Sequence, residues 1–190
     1  IFKKEDNPVL VFLGRCSQSK GIEDAILAFK KLQKKYAKSR LWIIGRGDAN
    51  YKNELMMFSK KLKLQKQIFF FDFVSEEKKF ELLSKSWILV HPSITEGWGL
   101  NVIEANTVGT PAVSYNIGGL KDSIQHMKTG LLTEKNTPED LFKEILRLIT
   151  DKALYNKLSQ NSLKWSKKFS WQKTGEEGLR VIEKTYGEKN

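Results

Sequence analysis

The sequence predicts an α/β fold, a doubly wound parallel six-stranded sheet flanked by helices and closed by C-terminal helices. Short apolar, β-rich runs recur along the chain and alternate with stretches of helical periodicity, the pattern of right-handed βαβ crossovers. The first run, Pro8-Val9-Leu10-Val11-Phe12-Leu13, is apolar at consecutive positions, as in a strand covered on both faces. Most of the runs stop at a glycine or polar loop, which places those loops at the carboxyl ends of the strands, where ligands of such sheets sit.

The elements follow in order. After the first strand comes the loop Gly14-Arg15-Cys16-Ser17-Gln18-Ser19-Lys20-Gly21, then a helix with Ile22, Ala25, Ile26, Phe29, Leu32 and Tyr36 at helical spacing. Leu41 to Ile44 repeats the strand signal and ends at Gly45-Arg46-Gly47-Asp48, before a helix through Leu55, Met56, Phe58, Leu62 and Leu64. Ile68 to Phe71 is the third strand; Val74 and Ser75 turn into a short helix bearing Phe80, Leu82 and Leu83; Trp87 to Val90 is the fourth. A central helix follows Pro92, then strands at Ala112 to Tyr115 and Gly130 to Thr133. Thr137-Pro138-Glu139-Asp140 starts a helix with a Thr cap, Pro at the first helical position and acids in the first turn. Helices at about Asp151 to Phe169 and Trp171 to Tyr186 close the chain.

A chain of 190 residues, 40% hydrophobic and 29% charged, is expected to form one globular domain over residues 1–190. No run approaches the ~18 apolar residues of a membrane span, and the early charges Lys3, Lys4, Glu5 and Asp6 do not fit a secretory signal, so the cytoplasm is the expected compartment. The single cysteine excludes an intrachain disulfide and a cysteine-based metal cluster. The net charge of +11 invites a polyanion partner, yet the lysines are spread over helix faces: Lys30, Lys31, Lys34, Lys35 and Lys38 on one, Lys60, Lys61, Lys63 and Lys66 at the end of another. Solvated faces explain them, with peripheral contact to anionic lipid as the weaker reading.

The chain is organised around Pro92-Ser93-Ile94-Thr95-Glu96-Gly97-Trp98-Gly99-Leu100-Asn101-Val102-Ile103-Glu104, which joins the fourth strand to the central helix. Gly97 and Gly99 fall where that helix is expected to begin, where backbone N–H groups lack partners and the helix dipole favours an anion, so a phosphate fits there. Glu96 and Glu104, roughly 80° apart around a helix and about 12 Å along it, are not a close acid/base pair. Glu96 instead faces the helix mouth and Glu104 reaches a hydroxyl further along a ligand; the plain alternative is a carboxylate complementing a helix start and an ordinary surface glutamate.

Arg15 and Lys20 flank the loop after the first strand and would neutralise a diphosphate at the same rim, although such loop cations are ordinarily solvated. Gly45-Arg46-Gly47-Asp48 lacks the spacing of a dinucleotide loop, and Gly118-Gly119 opens another helix near the same rim. His91 and His126 read as structural, and Cys16, beside Arg15, has scope for a depressed thiol pKa without a partner that would make it a nucleophile. Trp98 packs on the helix mouth or faces the ligand.

In order and spacing, Gly14-Arg15 with Lys20-Gly21, Gly45-Arg46-Gly47, Pro92-Ser93 with Glu96-Gly97-Trp98-Gly99-Leu100 and Glu104-Ala105, Gly109-Thr110-Pro111, Gly118-Gly119 and Thr129-Gly130 resemble the C-terminal half of retaining family 4 glycosyltransferases, from about Val9 to Tyr186. The resemblance implies a Rossmann-like domain of the two-domain GT-B architecture that binds a nucleoside-diphosphate sugar, UDP- or GDP-linked. It implies Arg15, Lys20 and Glu96 as the catalytic set, with Gly14, Gly97, Trp98, Gly99, Leu100 and Glu104 around the donor. Gly99 and Leu100 would give N–H groups to the phosphates, Glu104 would bind the ribose hydroxyls, and main-chain groups near Val74 would meet the base. It further implies retention of anomeric configuration, no metal and no other cofactor.

The N-terminal acceptor domain of that architecture is missing from the sequence, so the expectation is a donor-binding half that does not by itself transfer a sugar to a lipid-linked or glycan acceptor. The last helix, after Phe169-Ser170-Trp171, resembles the segment that crosses back to the missing domain. The rival readings are a nucleotide-sugar epimerase or sugar phosphorylase half and a basic nucleic-acid-binding module. The aromatic residues lie mostly in apolar runs and not among exposed cations, which counts against nucleic acid.

Overall fold

The computed structural model describes residues 3–169 and 171–187; Ile1 and Ser170, where the sequence reading began the chain and entered its last helix, lie outside them. Six strands, β1 (Val9–Leu13), β2 (Arg40–Ile44), β3 (Ile68–Phe71), β4 (Ile88–His91), β5 (Ala112–Ser114) and β6 (Gly130–Leu132), form one parallel sheet in the order β3-β2-β1-β4-β5-β6. The helices are α1 (Ile22–Lys35), α2 (Ala49–Lys61), α3 (Glu76–Lys85), α4 (Leu100–Thr107), α5 (Leu120–Ser123), α6 (Pro138–Thr150), α7 (Lys152–Ser166) and α8 (Trp171–Gly187). The strand order reverses between β1 and β4, which creates the crevice in which doubly wound sheets hold their ligands.

β1 explains the consecutive apolar run. Leu10 and Phe12 enter a core shared with α1, β2 and α6, including Ile26, Phe29, Leu41 and Ile145. Val9, Val11 and Leu13 enter a second core on the opposite face with Trp42, Leu82, Leu83, Val102 and Ala105. Each fully buried Leu, Ile or Phe contributes about 1.5–3 kcal/mol, so a strand feeding two cores must be apolar at every position.

Some boundaries differ from the sequence reading. β4 runs to His91 and leaves Trp87 outside, because Trp87 is the strand's entry: its backbone N–H donates to Val9 O and its indole Nε1–H to Glu5 O. α2 stops at Lys61, and Lys63 takes a left-handed φ of 62° that ends any continuation through Leu64. α7 ends at Ser166, short of Phe169. β5 and β6 each end one residue early, at Ser114 and Leu132.

Candidate functional site

Helix starts divide into two kinds. α2, α3, α6 and α7 are closed by side-chain caps, with Asp48, Ser75, Thr137 and Asp151 accepting from Tyr51, Lys78, Asp140 and Leu154 N–H. α1, α4 and α5 start at Gly21, Gly99 and Gly119 with no side-chain cap. These three glycines meet at the carboxyl ends of β1, β4 and β5. A Cβ on Gly21 would lie 2.1 Å from Pro92 O, one on Gly119 1.7 Å from Gly97 O, and one on Gly99 2.8 Å from Leu120 Cδ2. At Gly21 and Gly119 backbone thus packs on backbone, and at the start of α4 the Leu100 and Asn101 N–H groups have no side-chain acceptor, while Val102 N–H donates to Asn101 Oδ1 at 3.1 Å.

α4 begins at Leu100, where the apolar helical pattern starts, because Gly99 is left-handed (φ 84°, ψ 59°) and sits outside the helix. Glu104 consequently lies just over one turn into α4, not two. Asn101 fastens this start to the first strand, its Nδ2–H donating to Leu13 O at 2.5 Å.

Glu96 is the hub of the rim. Its Oε2 accepts from Lys20 Nζ at 2.7 Å and from His91 Nε2–H at 3.1 Å. A carboxylate only accepts, so the imidazole proton lies on Nε2 and the buried Nδ1 has no hydrogen-bond partner. The hydrogen bond from His91, joined by that from Lys20 and opposed by burial, holds the Glu96 carboxyl well down, at about 2. The sequence reading took His91 as structural and missed this contact; its place as the last residue of β4, five before Glu96, was the available signal. His126 is structural, its Nδ1 accepting from Leu132 N–H.

The remaining residues of the reading divide clearly. Arg15 is exposed on a cavity of about 550 Å³ with Leu13, Gly14, Gly45, Arg46 and Phe73. Gly97 is open to solvent, with nothing within 4 Å of an added Cβ. Trp98 packs edge-on against Phe169, with ring centroids 5.4 Å apart. Val74 is partly buried against the second core. Its neighbour Phe73 is 69% exposed, with the Arg46 guanidinium 4.4 Å from its ring centroid; that planar pair escaped the sequence reading. Glu104 Oε1 accepts from Lys79 Nζ at 2.7 Å, so the two glutamates are served by different cations. Cys16 corrects an expectation: it is buried and burial pushes its thiol up, not down. Among the described residues no three His, Cys, Asp or Glu side chains are grouped to hold a metal ion.

The uncapped start of α4, the Lys20–Glu96 pair and the exposed Arg15 therefore all lie in loops that follow the strands at the switch point of a parallel sheet. The model of the family Glycosyl transferases group 1 matches residues 1–165. The chain belongs to that family. This glycosyltransferase domain is 27% identical over 179 residues to an uncharacterized glycosyltransferase of Methanocaldococcus jannaschii, a match covering 94% of the chain and 45% of that protein. Its fold is that of the sucrose-phosphate synthase of Thermosynechococcus elongatus (TM-score 0.87, 23% identity, 96% of this chain and 46% of that one). It also matches Anabaena HepE, solved in complex with UDP-glucose (TM-score 0.86, 22% identity, 94% of this chain and 49% of that one). The glycosyltransferase domain spans about half the length of these and other curated relatives that it matches over most of its own length. It has the Rossmann-like fold of GT-B neighbours, and no helix among its described residues is long and apolar enough to cross a membrane.

Proposed function

We propose that this domain is the C-terminal, donor-binding half of a retaining family 4 glycosyltransferase that moves a sugar from a UDP or GDP sugar to an acceptor. The observation that carries the reading is the uncapped start of α4 at the β1–β4 switch point, with Glu96, Lys20 and Arg15 around it. The diphosphate sits on the N–H groups of Gly99 and Leu100, and Arg15 and Lys20 supply the positive charge that steadies it as a leaving group. On this reading those side chains do the work for which other transferases recruit a metal. Lys20 exchanges part of its contact with Glu96 for phosphate, and Glu96 lies beside the donor sugar. Glu104 takes the ribose hydroxyls. The base lies along the cavity near Val74, where the Phe73–Arg46 pair offers a stacking surface. In transfer the anomeric carbon loses its bond to the diphosphate oxygen and gains one to the acceptor hydroxyl oxygen on the same face, the hydroxyl proton passing to the leaving phosphate, which stays beside the oxocarbenium-like centre.

The acceptor, a glycan or a lipid-linked group, is held by an N-terminal domain of the longer protein, so this half alone binds donor and does not turn over. A cytoplasmic enzyme of glycan biosynthesis, with its lysine faces resting on anionic lipid, completes the reading. HepE in complex with UDP-glucose shares the fold and supports a nucleotide-sugar donor. The deciding experiment is calorimetric titration with UDP and with GDP, with Arg15→Ala and Glu104→Ala beside the parent. Saturable binding of one diphosphate, weakened about tenfold or more in each variant, is expected. No binding of either by the folded domain and by the longer protein would sink the proposal.

A further inference from the structure

Lys79 is the only buried lysine among the described residues, and it lies on α3, outside the rim loops. Its ammonium has three N–H donors, and three acceptors surround it: Glu76 Oε1 and Oε2 at 2.8 Å each and Glu104 Oε1 at 2.7 Å. The two carboxylates differ. Glu76 is a neighbour on the same helix with its side chain 78% exposed, whereas Glu104 stands on α4 with its side chain 34% exposed. Lys79 thus reaches across from α3 to α4 and takes one oxygen of Glu104, while no described group takes the other, Oε2.

We propose that Lys79 is a positioning residue for ribose recognition: by holding Glu104 Oε1 it fixes the carboxylate so that Oε2 is presented to the vicinal hydroxyls of the nucleoside. The inference rests on the assignment of Glu104 to the ribose. A glutamate on a helix surface samples several rotamers and gives up that freedom when a ligand captures it. Here that freedom is reduced on folding, because the buried Lys79 holds Oε1 while Glu76 fills its remaining donors. A carboxylate oxygen accepts, so Oε2 can receive hydroxyl protons from a diol while Oε1 is held by Lys79.

Hydroxyl discrimination separates positioning from simple stabilisation. The affinities of UDP and 2′,3′-dideoxy-UDP, or of the corresponding GDP pair if that base is bound, are measured on the parent, Lys79→Met, Lys79→Arg and Glu104→Ala. In the parent the diol form binds about tenfold or more tightly than the dideoxy form, the ordinary return on hydrogen bonds to a charged acceptor. Lys79→Met is expected to lose most of that ratio by weakening the diol form alone, and Lys79→Arg to retain most of it. Should Lys79→Met fail to fold, Lys79→Gln, which keeps two N–H donors without the charge, takes its place. Equal weakening of both ligands, or an unchanged ratio in a variant lacking the ammonium, overturns the proposal. Glu104→Ala tells which assignment failed. A ratio lost there and kept in Lys79→Met rejects Lys79 alone, and a ratio kept in Glu104→Ala rejects the ribose assignment and Lys79 with it.

Discussion

At the scale of single residues, the rim is an electrostatic arrangement centred on Glu96, whose side chain is 18% exposed between Lys20 and the buried His91. Its carboxyl titrates at about 2, against an ordinary 4.5, with the His91 hydrogen bond as the largest cause. The sign follows from linkage. A carboxyl whose folded pKa is depressed contributes stability that is fully present above its unfolded value and is lost as the pH falls through the folded one. The melting temperature of the parent should exceed that of Glu96→Gln by a constant margin above pH 5 and by a shrinking margin from about pH 4.5 downward. A margin that widens on acidification would contradict the pairing. The sequence exposed Glu96, Lys20 and Arg15 as candidates because their spacing from strand ends is local. It hid the partners. Lys79 meets Glu104 only after α3 is set against α4, and nothing in its own neighbourhood distinguishes it from one more helix lysine, whereas His91 carried only the weak local signal of a strand end five residues before Glu96.

At the scale of elements, the site exists because some helix starts were left without caps. Thr137-Pro138 was legible as a start since a cap and its acceptor lie three residues apart. The helical pattern from Leu100 was legible, but glycine does not announce which residue adopts the left-handed conformation, and here it is Gly99 and not Gly97. The same geometry makes the glycines unequal. Gly21 has φ 64° and would drive a Cβ to 2.1 Å from Pro92 O, whereas Gly97 has open space and no left-handed φ. Gly21→Ala is therefore expected to lower stability by about 1–3 kcal/mol through backbone strain and the displacement of α1 from the end of β4. Gly97→Ala should stay within about 0.5 kcal/mol of the parent. Urea unfolding of both variants measures the difference; equal costs would show that the packing of α1 on the β4 loop does not hold the rim.

At the scale of the whole molecule, alternation of apolar runs with helical stretches was enough to specify a parallel sheet, but not the order β3-β2-β1-β4-β5-β6, since chain order says which strands exist and not which become neighbours. The order places β1 at the centre, feeding Leu10 and Phe12 into one core and Val9, Val11 and Leu13 into the other, so neither face can open while β1 stays in place. α8 stands in contrast. Leu179, Val181 and Ile182 are 60%, 65% and 58% exposed, and Gly175 and Gly178 each cost a helix roughly 1 kcal/mol relative to alanine. Its amides have hydrogen bonds within reach of water and little buried side-chain contact over 178–185, the conditions under which a segment opens without the rest of the domain. Hydrogen exchange read by mass spectrometry should find the β1 amides opening only with global unfolding and those of 178–185 exchanging at least a hundredfold faster, an order-of-magnitude expectation for local against global opening. Protection of 178–185 equal to that of β1 would mean that α8 belongs to the cooperative core, and that the apolar residues it shows to solvent stabilise the domain by some route other than burial.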